Sequence, residues 1–190
     1  MKILALLGSP RPKGNTQAVL EIVLAAAEKG GAQTETIQIS ELNDLAGCME
    51  CFKCQQSDPP DCAIDDDMKP VLDQALKADL ILWATPVFCW SPAWPLKIAL
   101  DRFYSLFKIK DGKEVKSLLA GRKMAAVISA GGGEQDGADL VTETFRRMTE
   151  FSKCQWLGAF VATFVDTPQT IRADRDLVSR ARAFGRKLAS

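Results

Sequence analysis

Short apolar runs alternate with stretches of helical period along the whole chain, and that alternation constrains the fold more than any other feature. Ile3–Leu7, Leu80–Ala84, Met124–Ile128 and Leu157–Val165 are apolar almost throughout and are bounded mostly by Gly, Pro, Ser or charged residues. Runs of this kind suit strands buried on both faces. A fifth strand is expected at Thr34–Ile39, where Thr34, Thr36 and Gln38 alternate with Glu35, Ile37 and Ile39, the pattern of an edge strand with one wetter face. Helices are expected over Thr16–Glu28, Met68–Lys77, Ala93–Phe107, Ala138–Phe151 and Arg172–Leu188. Strands and helices in this order imply an α/β fold, a doubly wound five-stranded parallel sheet of order 2-1-3-4-5. A chain of 190 residues with 47% hydrophobic content can build one such domain, residues 1–190, with a full core.

One connection is far longer than the rest. Residues 40–66 lie between the second strand and the second helix, where a βα loop ordinarily takes a few residues. This insertion after strand 2 holds Cys48, Cys51, Cys54 and Cys62 in a C-x2-C-x2-C-x7-C run. Two overlapping two-residue spacings let one short segment wrap three thiolates around a compact inorganic core, with Cys62 closing the fourth corner after Pro59 and Pro60. Four-cysteine iron–sulfur ligation has that requirement. Zinc sites more often pair two separated C-x2-C knuckles, so the run leans towards a [4Fe–4S] cluster; zinc and metal-free thiols stay open. The chain contains no histidine, which excludes mixed Cys/His ligation. Asp65, Asp66 and Asp67 close the insertion and read as caps for the helix starting near Met68 rather than as metal ligands.

Charge narrows the range of partners. Lys plus Arg and Asp plus Glu number 24 each, so no global field recruits nucleic acid or an anionic membrane. The apolar start, Ile3–Leu7, meets Gly8-Ser9-Pro10 after five residues, too short for the core of a signal peptide, and no stretch approaches a membrane span. A cytoplasmic location is expected, where structural disulfides are rare, and this favours a metal or redox role for the cysteines.

Gly8-Ser9-Pro10-Arg11-Pro12-Lys13-Gly14-Asn15-Thr16 follows the first strand and opens directly into the first helix. A helix N-terminus offers unpaired N–H groups and a positive dipole end, Ser9, Asn15 and Thr16 add neutral donors, and Arg11 adds a guanidinium fork. This reads as an anion site. It lacks the G-x4-G-K-[ST] order of a P-loop and the G-x-G-x-x-G of a dinucleotide fold.

The expected strand order is that of the flavodoxin-like fold, and the sequence resembles the flavodoxin-like NAD(P)H-dependent FMN reductases, in particular their iron–sulfur flavoprotein branch. The resemblance rests on G-S-P-R-x-x-G-N-T at 8–16, the cysteine run, D-D-M at 66–68, T-P-V-F at 85–88 and L-K-x-x-L-D-R at 96–102, in family order over the first hundred residues. It implies that Ser9, Arg11, Asn15 and Thr16 hold the FMN phosphate and that Pro86, Val87, Phe88 and Trp90 lie along the isoalloxazine. Ala130, Gly131 and Gly132, after the fourth strand, would let backbone approach the ring. Phe88 stands where the family often has Tyr, and Pro92, Trp94 and Pro95 make the next segment bulkier than the family pattern. Cys89 and Cys154 read as small buried residues. The resemblance also places Arg102 near a subunit interface, and Phe103, Leu106 and Phe107 supply apolar surface for a homodimer or homotetramer or for the core.

Together these features point to an oxidoreductase that carries FMN and a [4Fe–4S] cluster and passes electrons from NAD(P)H or a ferredoxin-like carrier to a small-molecule acceptor. The alternative is an NAD(P)H-dependent flavin or quinone reductase without a cluster. No protein general acid or base is assigned, because the transfer chemistry belongs to the cofactors. A receiver-type signalling module would need acidic residues after the first strand, where this chain has Gly8-Ser9-Pro10-Arg11.

Overall fold

In a computed structural model, described for residues 1–110 and 114–190, five parallel strands form the expected sheet. They are β1 (Lys2–Leu7), β2 (Gln33–Gln38), β3 (Leu80–Phe88), β7 (Lys123–Ser129) and β8 (Gln155–Ala162). Their spatial order is β2-β1-β3-β7-β8, the doubly wound 2-1-3-4-5 arrangement. In β1 successive side chains serve opposite faces. Leu4 and Leu6 join the core beneath α3 (Met68–Ala75), α4 (Trp94–Arg102) and α5 (Asp139–Phe151), and Ile3, Ala5 and Leu7 join the core beneath α1 (Asn15–Lys29) and α7 (Arg175–Ala189). On the first side Trp83 stacks on Phe145 at 5.8 Å and meets Phe103 edge-on at 4.8 Å.

Three departures from the sequence pattern have local causes. The helix expected over Ala93–Phe107 stops at Arg102 and continues as a 3-10 turn, Phe103–Leu106. The chain then pairs as an antiparallel hairpin, β5 (Phe107–Lys110) with β6 (Glu114–Ser117). Phe103, Leu106 and Phe107 are buried in this chain's own core, as is Arg102, so none of them offers surface to a second subunit. The last helix divides into α6 (Pro168–Ala173) and α7, because Asp174 turns extended and accepts the N–H of Leu177 as a cap. Strand β8 begins two residues earlier than expected and ends at Ala162. Exposed Phe164, at φ 53°, cannot continue it.

The insertion after β2 includes one short helix, α2 (Lys53–Gln56). Among the described residues no helix is long and apolar enough to cross a membrane.

Candidate functional site

At the carboxyl ends of β1, β3 and β7, where the strand order reverses, lies a cleft of about 220 Å3. Ligands of open α/β sheets bind at this point. Ser9, Arg11, Asn15 and Thr16 line one wall, and Pro86, Val87, Phe88 and Gly131 line the other. Gly14, Ser129, Val165 and Asp166 complete it. The sequence reading passed over Ser129 and the 165–166 segment, which reach the cleft only because β7 and β8 end beside the first loop.

The polar groups of the first loop divide the work differently from the sequence reading. Gly14 is the N-cap of α1, and among the described residues no side chain caps that end, which leaves backbone donors of the first turn facing the cleft. The Ser9 hydroxyl accepts the Arg11 N–H at 3.2 Å. Buried Thr16 shares a 2.7 Å hydrogen bond with Ser129 and so ties α1 to β7. Asn15 donates its amide to the carbonyls of Val165 (3.4 Å) and Asp166 (3.1 Å), leaving its Oδ1 buried without a partner. The Asn15 donors are therefore spent within the protein rather than offered to the cleft as the sequence suggested, while Arg11 supplies an exposed cation.

The opposite wall is set by a tight turn. Phe88 pairs with Ser91 and Val87 with Pro92 of β4 (Ser91–Pro92), and Cys89 and Trp90 between them both take positive φ, 46° and 59°, as in a type I′ two-residue hairpin. Gly137, at φ 109°, lies under this turn, where an added Cβ would come 2.8 Å from the Trp90 Cα. Phe88, Trp90 and Trp94 are exposed, Trp90 lies outside the cleft lining that the sequence reading gave it, and Cys89 is exposed where the sequence reading had it buried. Gly131 has open space where a Cβ would stand. Ala130 and Gly132 do not line the cleft. The Ala130 carbonyl accepts the Val165 N–H and the Gly132 carbonyl that of Phe164, so their backbones anchor the 164–165 segment. An uncapped helix start, a nearby cation, an apolar aromatic lip and a side-chain-free patch at Gly131 fit a phosphate-bearing ligand with a flat ring.

A second cavity, of about 430 Å3, lies under the insertion. This is within the roughly 300–1,000 Å3 of small-ligand pockets. Cys48, Cys51, Cys54 and Cys62 all line it, with Phe52, Ile64, Leu100, Arg102, Tyr104 and Phe107 among the surrounding residues. Cys48 and Cys51 are exposed, Cys54 and Cys62 buried, and all six cysteines of the chain are free thiols. Burial pushes the Cys54 thiol up, a hydrogen bond from Gln55 opposes this, and the neighbouring Cys62, Cys48 and Cys51 add to the rise. Among the described residues no three His, Cys, Asp or Glu side chains gather tightly enough to hold a single metal ion. The donor set, four thiols around one largely apolar cavity, fits in kind a cluster larger than one ion.

The hairpin β5–β6, unforeseen from the sequence, braces this insertion. Gln55 donates to the Phe107 carbonyl and accepts the Ile109 N–H, and Lys108 donates to the Ser57 carbonyl. Against the expectation of a capping cluster, Asp67 stands at the N-cap of α3 without a side-chain cap bond, and only Asp66 reaches the helix start, at the Met68 N–H. Asp67 accepts the N–H groups of Asn43 and Asp44, and Asp66 accepts those of Ala46 and Met68.

A parallel sheet of this order, with an uncapped helix start and an aromatic lip at its reversal point, defines a flavodoxin-like protein. The chain belongs to the NADPH-dependent FMN reductase family, whose model matches residues 1–166, and it is thus an oxidoreductase of an FMN-dependent family. It is 32% identical over 144 residues to the iron–sulfur flavoprotein of Methanosarcina thermophila, a match covering 76% of this chain and 70% of that protein. An iron–sulfur flavoprotein of Methanocaldococcus jannaschii is 30% identical over 135 residues, covering 71% of this chain and 66% of that one. An NAD(P)H:quinone oxidoreductase structure from Methanothermobacter marburgensis superposes with a TM-score of 0.76 at 18% identity, covering 100% of this chain and 98% of that one. That likeness is one of fold.

Proposed function

We propose that residues 1–190 form a single FMN-binding domain that also carries a [4Fe–4S] cluster on Cys48, Cys51, Cys54 and Cys62. In this reading it passes electrons from NAD(P)H or a ferredoxin-like carrier to a small-molecule acceptor. The observation that carries the reading is the meeting of all four thiols at one cavity, in a protein whose relatives include iron–sulfur flavoproteins. Such a centre suits a cytoplasmic setting, where structural disulfides are rare.

When bound, the two groups supply interchange between two-electron and one-electron chemistry, and the protein's part is binding, orientation and exclusion of water. The first turn of α1 and Arg11 hold the phosphate, with Ser9 and Thr16 fixing the shape of that loop through their own hydrogen bonds. Asn15 pins the 165–166 segment against α1. Pro86, Val87 and Phe88 form an apolar edge for the ring, the Cys89–Trp90 turn limits access above it, and Gly131 permits close backbone approach.

Iron and acid-labile sulfide measured on anaerobically prepared protein test the cluster, with about four of each per chain expected. Serine at any one of the four cysteines should deplete iron while FMN stays bound, because the two sites use different loops. Iron-free protein with full electron-transfer activity would overturn this reading in favour of a cluster-free reductase, and stoichiometric zinc would replace the cluster with a structural site.

A further inference from the structure

Arg102 stands in the last turn of α4, 1% exposed, and is buried with its partner Asp66. The two side chains meet fork to fork at 2.5 and 2.8 Å. The same guanidinium donates to the Ala46 carbonyl at 2.8 Å and to the Ile64 carbonyl at 3.2 Å. Ala46 lies two residues before Cys48 and Ile64 two residues after Cys62, so one side chain joins both ends of the cysteine segment. Asp66 in turn accepts the Ala46 N–H at 2.9 Å, which fixes that residue by both of its backbone groups. Arg102 also lines the cavity that Cys62 and the other three thiols line, and its buried Nε–H has no acceptor within the protein.

A buried ion pair is a poor device for stability, since a well-packed apolar pair of similar size does as well or better. A planar fork with five donors is suited instead to holding several acceptors in one geometry. We propose that Arg102 is a positioning residue that clasps the two ends of the cysteine loop and sets a positive charge in the wall of the cavity the four thiols line. The electrostatic half rests on the cluster reading above. A cation and a free N–H beside a cluster stabilise its more negative, reduced state and so raise the potential. The clasp half stands on the protein alone.

The test uses full-length Arg102→Gln and Arg102→Lys. Lysine keeps the charge but cannot bridge two carbonyls and a carboxylate at once, and it serves if the glutamine variant does not fold. Hydrogen exchange on iron-free protein reads the clasp at the amides of Asn43, Asp44 and Ala46, which bond to Asp67 and Asp66. Both variants should exchange there at least about tenfold faster, with α1 and α7 unchanged. Wild-type rates at all three amides in both variants would overturn the clasp. In anaerobic iron-loaded protein, Arg102→Gln should lose iron faster than wild type and show a more negative midpoint potential, because it leaves the Asp66 carboxylate uncompensated. Arg102→Lys should keep the potential near wild type while also losing iron. An unchanged potential in iron-loaded Arg102→Gln would overturn the electrostatic half. Wild type that never holds iron would overturn the cluster reading and the electrostatic half with it, and the exchange rates would still decide the clasp.

Discussion

Gly137→Ala should damage the candidate cleft from outside its lining, by pushing on the turn that carries Val87 and Trp90. Gly137 has φ 109°, and a Cβ built there stands 2.8 Å from the Trp90 Cα, 3.0 Å from its Cδ1 and 3.1 Å from the Val87 Cγ1. Forcing an L-residue into the left-handed region costs about 1–2 kcal/mol. Moving the Trp90 Cα out to an ordinary carbon contact of ~3.5 Å requires a displacement of about 0.7 Å from the 2.8 Å present. Because the crowded atom is backbone, rotamer changes cannot relieve it, and overpacking of this kind costs about 1–3 kcal/mol. The sum is about 3 kcal/mol. With a urea dependence of about 2 kcal/mol per M, the unfolding midpoint should fall by about 1.5 M. FMN should bind more weakly as well, since the 87–90 turn is the part that yields. Gly121→Ala separates the two contributions. Gly121 has φ 81° but open space around it, so that variant should lose only the conformational part and leave FMN affinity unchanged. If Gly137→Ala unfolds no earlier than Gly121→Ala and retains FMN equally well, the reasoning about the Cys89–Trp90 turn is refuted.

Gly131→Ala should leave urea stability within about 0.5 kcal/mol of wild type yet weaken FMN, because open space there belongs to the ligand; unchanged affinity in a fluorescence titration would remove the ring from that position. Arg11→Ala should weaken FMN retention by about 1–3 kcal/mol through loss of a charge-assisted contact, and full flavin occupancy after extensive dialysis would contradict the phosphate assignment. Burial alone would raise the pKa of Asp66, but the hydrogen bonds from Arg102 and from the Ala46 N–H outweigh it and hold the carboxyl below its ordinary 3.8. A depressed folded-state pKa contributes stability that is complete above the unfolded value and is lost as pH falls through the folded one. Protection of the Ala46 amide from hydrogen exchange, corrected for the intrinsic pH dependence of exchange, should therefore hold down to about pH 4 and fall below it, and a loss already near pH 6 would contradict the pairing. Burial pushes the Cys154 thiol up to about 11 from 9.0, so in iron-free protein at pH 8 its reactive thiolate is scarce and it should react with iodoacetamide more slowly than exposed Cys89, as read by peptide mass mapping; comparable rates would contradict that burial.

The sheet and its strand order were legible in the sequence because each buried strand is an apolar run long enough to stand apart from its neighbours, and the parallel α/β pattern leaves few other topologies. The first loop and the cysteine run were legible for a different reason, since their chemistry is carried by residues adjacent in the chain. Tertiary structure decided everything that depends on meetings between distant segments. It consumed the Asn15 donors on the carbonyls of Val165 and Asp166, and it turned Arg102 inward to join Ala46, Ile64 and Asp66. It also ended the expected Ala93–Phe107 helix at Arg102 and made Phe107–Lys110 a strand beside the cysteine loop. The alternation Phe107-Lys108-Ile109-Lys110 followed by Asp111-Gly112 was a hairpin signal within the sequence, but the apolar Phe103 and Leu106 just before it continued a helical period and masked it. Periodicity records which face of an element is apolar. Which partner satisfies a buried polar group is settled only when elements far apart in the chain pack together.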